Sequence, residues 1–166
     1  IAAVSSRPNS ASSVMDVNAK SVVAVVPSAW AGQVAIHPDG STIYLASGGD
    51  SSGNPDPKIV LIDTAKLAES ARIRTRGRNP EHCVYSPDGK WLLASNEESH
   101  DIDVIDVAAR KVVHLIKGTS HPRGMGFSPD GRTLYVANEG ANTLAFVDVD
   151  GWKVQGSVPI GLRAAG

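Results

Sequence analysis

The chain has 166 residues, 42% hydrophobic and 20% charged, and its 16 Lys plus Arg nearly balance 17 Asp plus Glu. That apolar fraction suits a packed fold and excludes a disordered tail, while a net charge of −1 leaves no basic excess to draw the chain to nucleic acid or a membrane surface. The single cysteine, Cys83, excludes an internal disulfide framework, and no apolar run reaches the roughly 18 residues of a membrane-spanning helix.

In chain order the apolar runs fall into four units. Residues 1–5, 13–16 and 21–26 form three short runs. In the next unit the turn His37-Pro38-Asp39-Gly40 precedes runs at 42–47, 59–63 and 72–77. The third unit repeats this order with Ser86-Pro87-Asp88-Gly89 and runs at 91–96, 102–106 and 112–118. The fourth has Ser128-Pro129-Asp130-Gly131 and runs at 133–138, 144–148 and 154–161. The turns are 49 and 42 residues apart. The residues closing the third run of each unit, Asp16, Asp63, Asp106 and Asp148, are 47, 43 and 42 apart. Several features recurring in phase mark a repeat architecture.

The runs are rich in Val, Ile, Leu and Tyr and are punctuated by Gly, Pro, Asn and Asp, which is strand chemistry separated by turns. In the recurring turn, Pro presets its own dihedral, Asp tolerates the next position and Gly takes the left-handed one, so a hairpin is expected there. The Asp closing each third run is placed to accept amides of the turn that follows. Four strands, here named A to D, in units of about 42 residues match a β-propeller blade. The expected fold is all-β, a β-propeller with four blades' worth of four-stranded antiparallel sheets. Blade 1 (1–28) is partial and lacks its A strand; blades 2 (29–77), 3 (78–118) and 4 (119–161) are complete. The chain begins without Met or a signal peptide, so processing or the choice of boundaries is expected to have removed the natural start. Terminal blades expose apolar faces. Self-association, as in a dimer completing an eight-blade ring, or a missing remainder of a larger propeller is therefore expected over a closed four-blade monomer.

Residues 120–138, Ser-His-Pro-Arg-Gly-Met-Gly-Phe-Ser-Pro-Asp-Gly-Arg-Thr-Leu-Tyr-Val-Ala-Asn, followed by 142–148, resemble the YVTN-type β-propeller repeat. The third unit is similar, with Trp91-Leu92-Leu93-Ala94-Ser95-Asn96 in the signature place; the second departs further, with His37 for Ser and Ser47 for Asn. The resemblance implies a propeller whose ligands meet the face carrying the D-to-A and B-to-C loops. Relatives include exported or surface proteins and, more distantly, lactonases, quinone-sheltering amine dehydrogenase subunits and haem d1 domains.

On that face the D-to-A loops supply Trp30, Asn79 and His121 at matching positions, followed by Glu81 and Arg123, with His82 close by. The B-to-C loops supply Asp50, Asn96, Glu97, Glu98, His100, Asn138 and Glu139. Of these, Trp30, Asn79, Glu81, His82, Asn96, Glu97, His100, His121, Arg123, Asn138 and Glu139 form the candidate ligand-binding set. Repetition of Asn-Glu at 96–97 and 138–139 points to loop shaping rather than a unique catalytic pair. No paired histidine spacing supports a metal or haem iron, so no metal, cofactor or catalytic residue is assigned. Asp50, Asn54 and Asp56 in the long loop at 47–57 lack Ca²⁺-loop spacing, and a flexible insertion is the simpler expectation. Arg72, Arg74, Arg76 and Arg78 are expected to alternate along an outer strand and protect its edge, in preference to the alternative of an anion-binding stripe. Cys83 is expected as a small buried hydrophobe on an inner strand. The functional expectation is a non-catalytic binding module for protein or carbohydrate, exported to the periplasm or cell surface, without nucleic acid or a membrane span. The alternative is part of a catalytic or redox propeller, lactonase-like or linked to quinone or haem.

Overall fold

The computed structural model describes residues 1–6, 11–49 and 55–163. The first sheet contains β1 (Ala2–Ser6), β2 (Ala11–Asp16) and β3 (Ser21–Pro27). The second contains β4 (Ala31–Ile36), β5 (Thr42–Gly49), β6 (Pro55–Asp63) and β7 (Ala68–Arg74), and the third β8 (Pro80–Tyr85), β9 (Trp91–Asn96), β10 (Asp101–Asp106) and β11 (Lys111–Ile116). The fourth contains β12 (Pro122–Phe127), β13 (Thr133–Asn138), β14 (Thr143–Asp148) and β15 (Lys153–Pro159). Every sheet runs in sequence order with antiparallel neighbours. The protein is an all-β propeller, with one three-stranded and three four-stranded blades. Among the described residues no helix is long and apolar enough to cross a membrane.

The turn chemistry is visible atom by atom. Gly40, Gly89 and Gly131 sit at φ of 75°, 71° and 70°, and each donates its amide to the carbonyl of the residue opening the turn, at 2.7–2.9 Å. Left-handed backbone at that position favours glycine, which has no Cβ to strain. In blade 3, Ser86 Oγ donates to Asp88 Oδ1 (2.6 Å) and accepts from Trp91 N (2.9 Å). Ser128 repeats both bonds in blade 4, to Asp130 and Thr133. The serine hydroxyl, followed by the Lys90 amide, holds the Asp88 carboxyl below its ordinary range. At the C-to-D turns, Asp16, Asp63 and Asp106 accept backbone amides two or three residues on.

Strand alternation builds a separate core at each blade junction. Ile43 and Leu45 of β5 join Val14 and Val26 of blade 1, while Tyr44 and Ala46 pack with Cys83, Leu92 and Ala94 of blade 3. Leu93, Ile102, Val104 and Ile116 then meet Leu134, Val136, Ala145 and Val147 of blade 4. Cys83 is buried on inner strand β8, and burial pushes its thiol up to about 12.

The outer faces of the end blades have the same apolar character with no neighbouring blade among the described residues. In blade 4 the strand positions equivalent to covered Tyr44, Ala46, Ile59, Leu61 and Ile73 hold Tyr135, Ala137, Leu144, Phe146 and Val158, and Val158 is 43% exposed. On blade 1, Val4 and Val25 are 54% and 62% exposed.

The outer strands differ from the sequence expectation. The run expected at 72–77 is strand only to Arg74, and β7 begins at Ala68. Arg76 and Gly77 leave the ladder because Asp103 Oδ2 of blade 3 accepts both amides, at 2.9 and 3.4 Å. Arg76 and Arg78 therefore belong to a D-to-A loop, and the expected four-arginine strand stripe is corrected to Arg72 and Arg74. Asp50 and Asn54 of the long second loop lie outside the described residues.

Candidate functional site

Strands β4, β8 and β12 begin where the D-to-A loops end, and their starts lie beside the B-to-C turns of the same blade. Trp30, Asn79 and His121 precede these strands in the left-handed region, at φ of 51°, 55° and 44°. Each carbonyl accepts the amide of the residue near the end of strand B: Gly48 to Trp30, Glu97 to Asn79 and Glu139 to His121, at 3.0–3.1 Å. This backbone clamp ties two loops together in each complete blade and explains why three unrelated side chains occur in phase.

The second residue of the A strand is Gly32, Glu81 and Arg123 in successive blades. Glu81 is buried. Arg123 Nη2 donates to Glu97 Oε1 at 2.6 Å, and its Nε lies against Glu139 Oε2. Asn79 Nδ2 donates to Glu97 Oε2 at 3.1 Å. Burial opposes charge on Arg123, but Glu97, Glu139 and Glu81 outweigh it and raise the guanidinium above its ordinary value. One arginine thus faces carboxylates from two blades, a half-buried network that fixes both B-to-C turns.

The remaining candidates divide. His100 Nδ1 accepts the His121 amide at 3.0 Å, and the rings meet edge to face with centroids 4.3 Å apart. His82 sits one position further along β8, with Nδ1 3.1 Å from Gln33 Oε1 of blade 2. Asn138 Oδ1 accepts the Ser120 amide (3.1 Å) and is a loop fastener. Asn96 is fully buried, and its Nδ2 donates to Asp101 Oδ1 (2.9 Å) and Asp103 Oδ2 (3.1 Å). Among the described residues, Asn96 Oδ1 and Asp103 Oδ1 find no partner. Burial raises the Asp103 carboxyl, against the pull of Asn96 and the two loop amides.

Trp30 stands apart from the arginine–glutamate network. It is 44% exposed and borders two adjoining cavities. One, of about 290 Å³, reaches Asn79 and Glu81; the other, of about 460 Å³, runs between the 74–78 loop and the Pro55–Pro57 edge of β6. Arg74, Arg76, Pro55 and Pro57 were outside the candidate ligand-binding set; the regular spacing of the arginines and the unusual length of the 47–57 loop were their signals. No cluster of three or more His, Cys, Asp or Glu arranged for a metal occurs among the described residues.

Comparison with known proteins places this geometry. The profile of a family described as YNCE-like beta-propeller matches residues 4–165, and no curated protein matches the chain. Among solved structures, the chain is similar to Kuenenia stuttgartiensis hydrazine synthase, with TM-score 0.79 and 24% identity over 89% of this chain and 42% of that one. It is also similar to the dihydro-haem d1 dehydrogenase NirN, in complex with DHE, with TM-score 0.71 and 17% identity over 98% of this chain and 35% of that one. At such identities the likeness shows the fold alone. The chain spans less than half the length of either neighbour.

Proposed function

The chain belongs to the YNCE-like β-propeller family, and from that premise we propose that it is a non-catalytic binding module that presents its D-to-A and B-to-C loop face to a protein or carbohydrate. The observation that carries this reading is the Arg123–Glu97–Glu139 network, extended by Asn79. It spends charged side chains on holding loops still, and a rigid loop face is a preorganised binding surface. Titration of the purified chain against protein and glycan panels tests it: binding lost on Arg123→Ala supports the reading, and failure of every panel member refutes it.

We read the repeats as YVTN-type on the strength of residues 120–138, and the protein as exported to the periplasm or cell surface. The open faces of blades 1 and 4 support association with a second copy or with further blades of a longer propeller. Light scattering separates these outcomes, since a monomer that binds no hydrophobic dye contradicts both. A second reading, a part of a catalytic or redox propeller, draws on the enzymes named for the two structural neighbours. Visible absorbance on addition of haem would favour it.

A further inference from the structure

The larger cavity beside Trp30 has a composition unlike the rest of the loop face. Its floor is the indole of Trp30, left 44% exposed although large and apolar. The ring is positioned by the left-handed backbone of its residue and by the Gly48-to-Trp30 backbone bond (3.1 Å). Pro55 and Pro57 make a stiff apolar wall, and Arg74, Arg76 and Arg78 line the other side. Their charges are poorly matched: Arg78 Nε is 4.0 Å from Glu98, Arg76 Nη2 donates only to the neutral Val112 carbonyl (3.1 Å), and Arg74 has no partner among the described residues. Among the described lining residues, three cations against one carboxylate leave a formal +2. By contrast, Arg72 lies outside this cavity and is closed off by Glu69, with Nε–Oε1 at 2.5 Å and Nη2–Oε2 at 3.0 Å. Of the arginines lining the cavity with Trp30, Arg74 is the one whose charge no described residue answers.

We propose that this cavity binds a carboxylated sugar ring of an acidic glycan. The proposal rests on the loop-face reading above and names its ligand. The flat indole offers a stacking surface for the C–H face of a pyranose, and the guanidinium forks match a carboxylate in bidentate geometry. A volume of about 460 Å³ lies within the roughly 300–1,000 Å³ usual for small-ligand clefts. A neutral sugar would leave the arginine charges unanswered.

Calorimetric titration of the 166-residue polypeptide with a short oligogalacturonate, its methyl ester, inorganic phosphate and a mononucleotide tests the proposal. The oligogalacturonate is expected to bind at least tenfold more tightly than the other three. Trp30→Ala and Arg74→Ala should each weaken it tenfold or more, with unchanged circular dichroism, while Arg72→Ala leaves it unaltered. Equal binding of the ester, phosphate or nucleotide, or indifference to Trp30→Ala, overturns it. A panel ligand whose capture is lost in Arg123→Ala but kept in Trp30→Ala leaves the loop-face reading standing and removes the acidic-sugar site. No capture by any panel member removes both.

Discussion

Replacing Gly32 by alanine tests how tightly the blades are packed near the candidate site. A Cβ at Gly32 would lie 2.3 Å from the Glu81 carbonyl oxygen, 2.9 Å from its carbon and 3.0 Å from its Cα. All three are backbone atoms of the neighbouring blade, so no side chain can swing aside. Relief requires moving β4 from β8 by nearly 1 Å, and a gap of about 0.5–1 Å forfeits roughly a quarter to a half of each dispersion contact it opens. Insertion of a methyl into a packed interior costs about 1–3 kcal/mol, and a backbone clash on both sides places this case near 3. For a chain of this length that corresponds to a fall in Tm of about 6–12 °C. Urea unfolding followed by circular dichroism reads the change, with Gly126→Ala as the reference, since a Cβ there meets nothing within 4 Å. A Gly32→Ala protein within about 0.5 kcal/mol of the parent, the ordinary range for a surface change, would refute the inter-blade contact.

Four further outcomes are expected. Asp103→Asn keeps an oxygen for the Arg76 and Gly77 amides and removes a charge that burial disfavours. Because the folded carboxyl is raised, wild-type stability drawn from it is complete below the unfolded value near 3.8 and is lost as pH rises through the folded value. The variant should therefore equal or exceed wild type at pH 7 in urea midpoints, with the advantage vanishing as pH falls toward 4; a variant less stable at pH 7 contradicts this. Arg123→Ala strands Glu97 and Glu139 without their cation and should cost about 1–2 kcal/mol, discounted for partial exposure; a loss that does not shrink in high salt argues against a charge network. Ser86→Ala removes both hairpin bonds of a buried hydroxyl, costing about 1–2 kcal/mol, and should move the Asp88 carboxyl back up, as read by NMR titration. Cys83, buried with its thiol pushed up to about 12, should resist iodoacetamide until denaturant is added; rapid labelling of the folded protein would disprove its burial.

Much of the architecture was legible in the residues because turns and strands report locally. Gly after Pro-Asp needs a left-handed conformation wherever it occurs, so Gly40, Gly89 and Gly131 marked three hairpins before any contact was known. The alternation of Ile43 with Tyr44 and of Leu45 with Ala46 announced two apolar faces per blade. The matching positions of Trp30, Asn79 and His121 were also readable, since a backbone clamp repeats with the blade.

What tertiary structure alone decided is which side chains of different blades meet. Glu81 and Arg123 are 42 residues apart in sequence and share a strand position, yet only blade stacking brings Glu97 and Glu139 onto one guanidinium. The arginine run looked like a uniform strand edge from spacing. It is split by Asp103, which draws two amides out of the ladder and places Arg76 and Arg78 in a D-to-A loop that lines the same cavity as Trp30. Local preferences are set by a residue and its near neighbours, whereas charge pairing depends on distances that appear only once the blades pack.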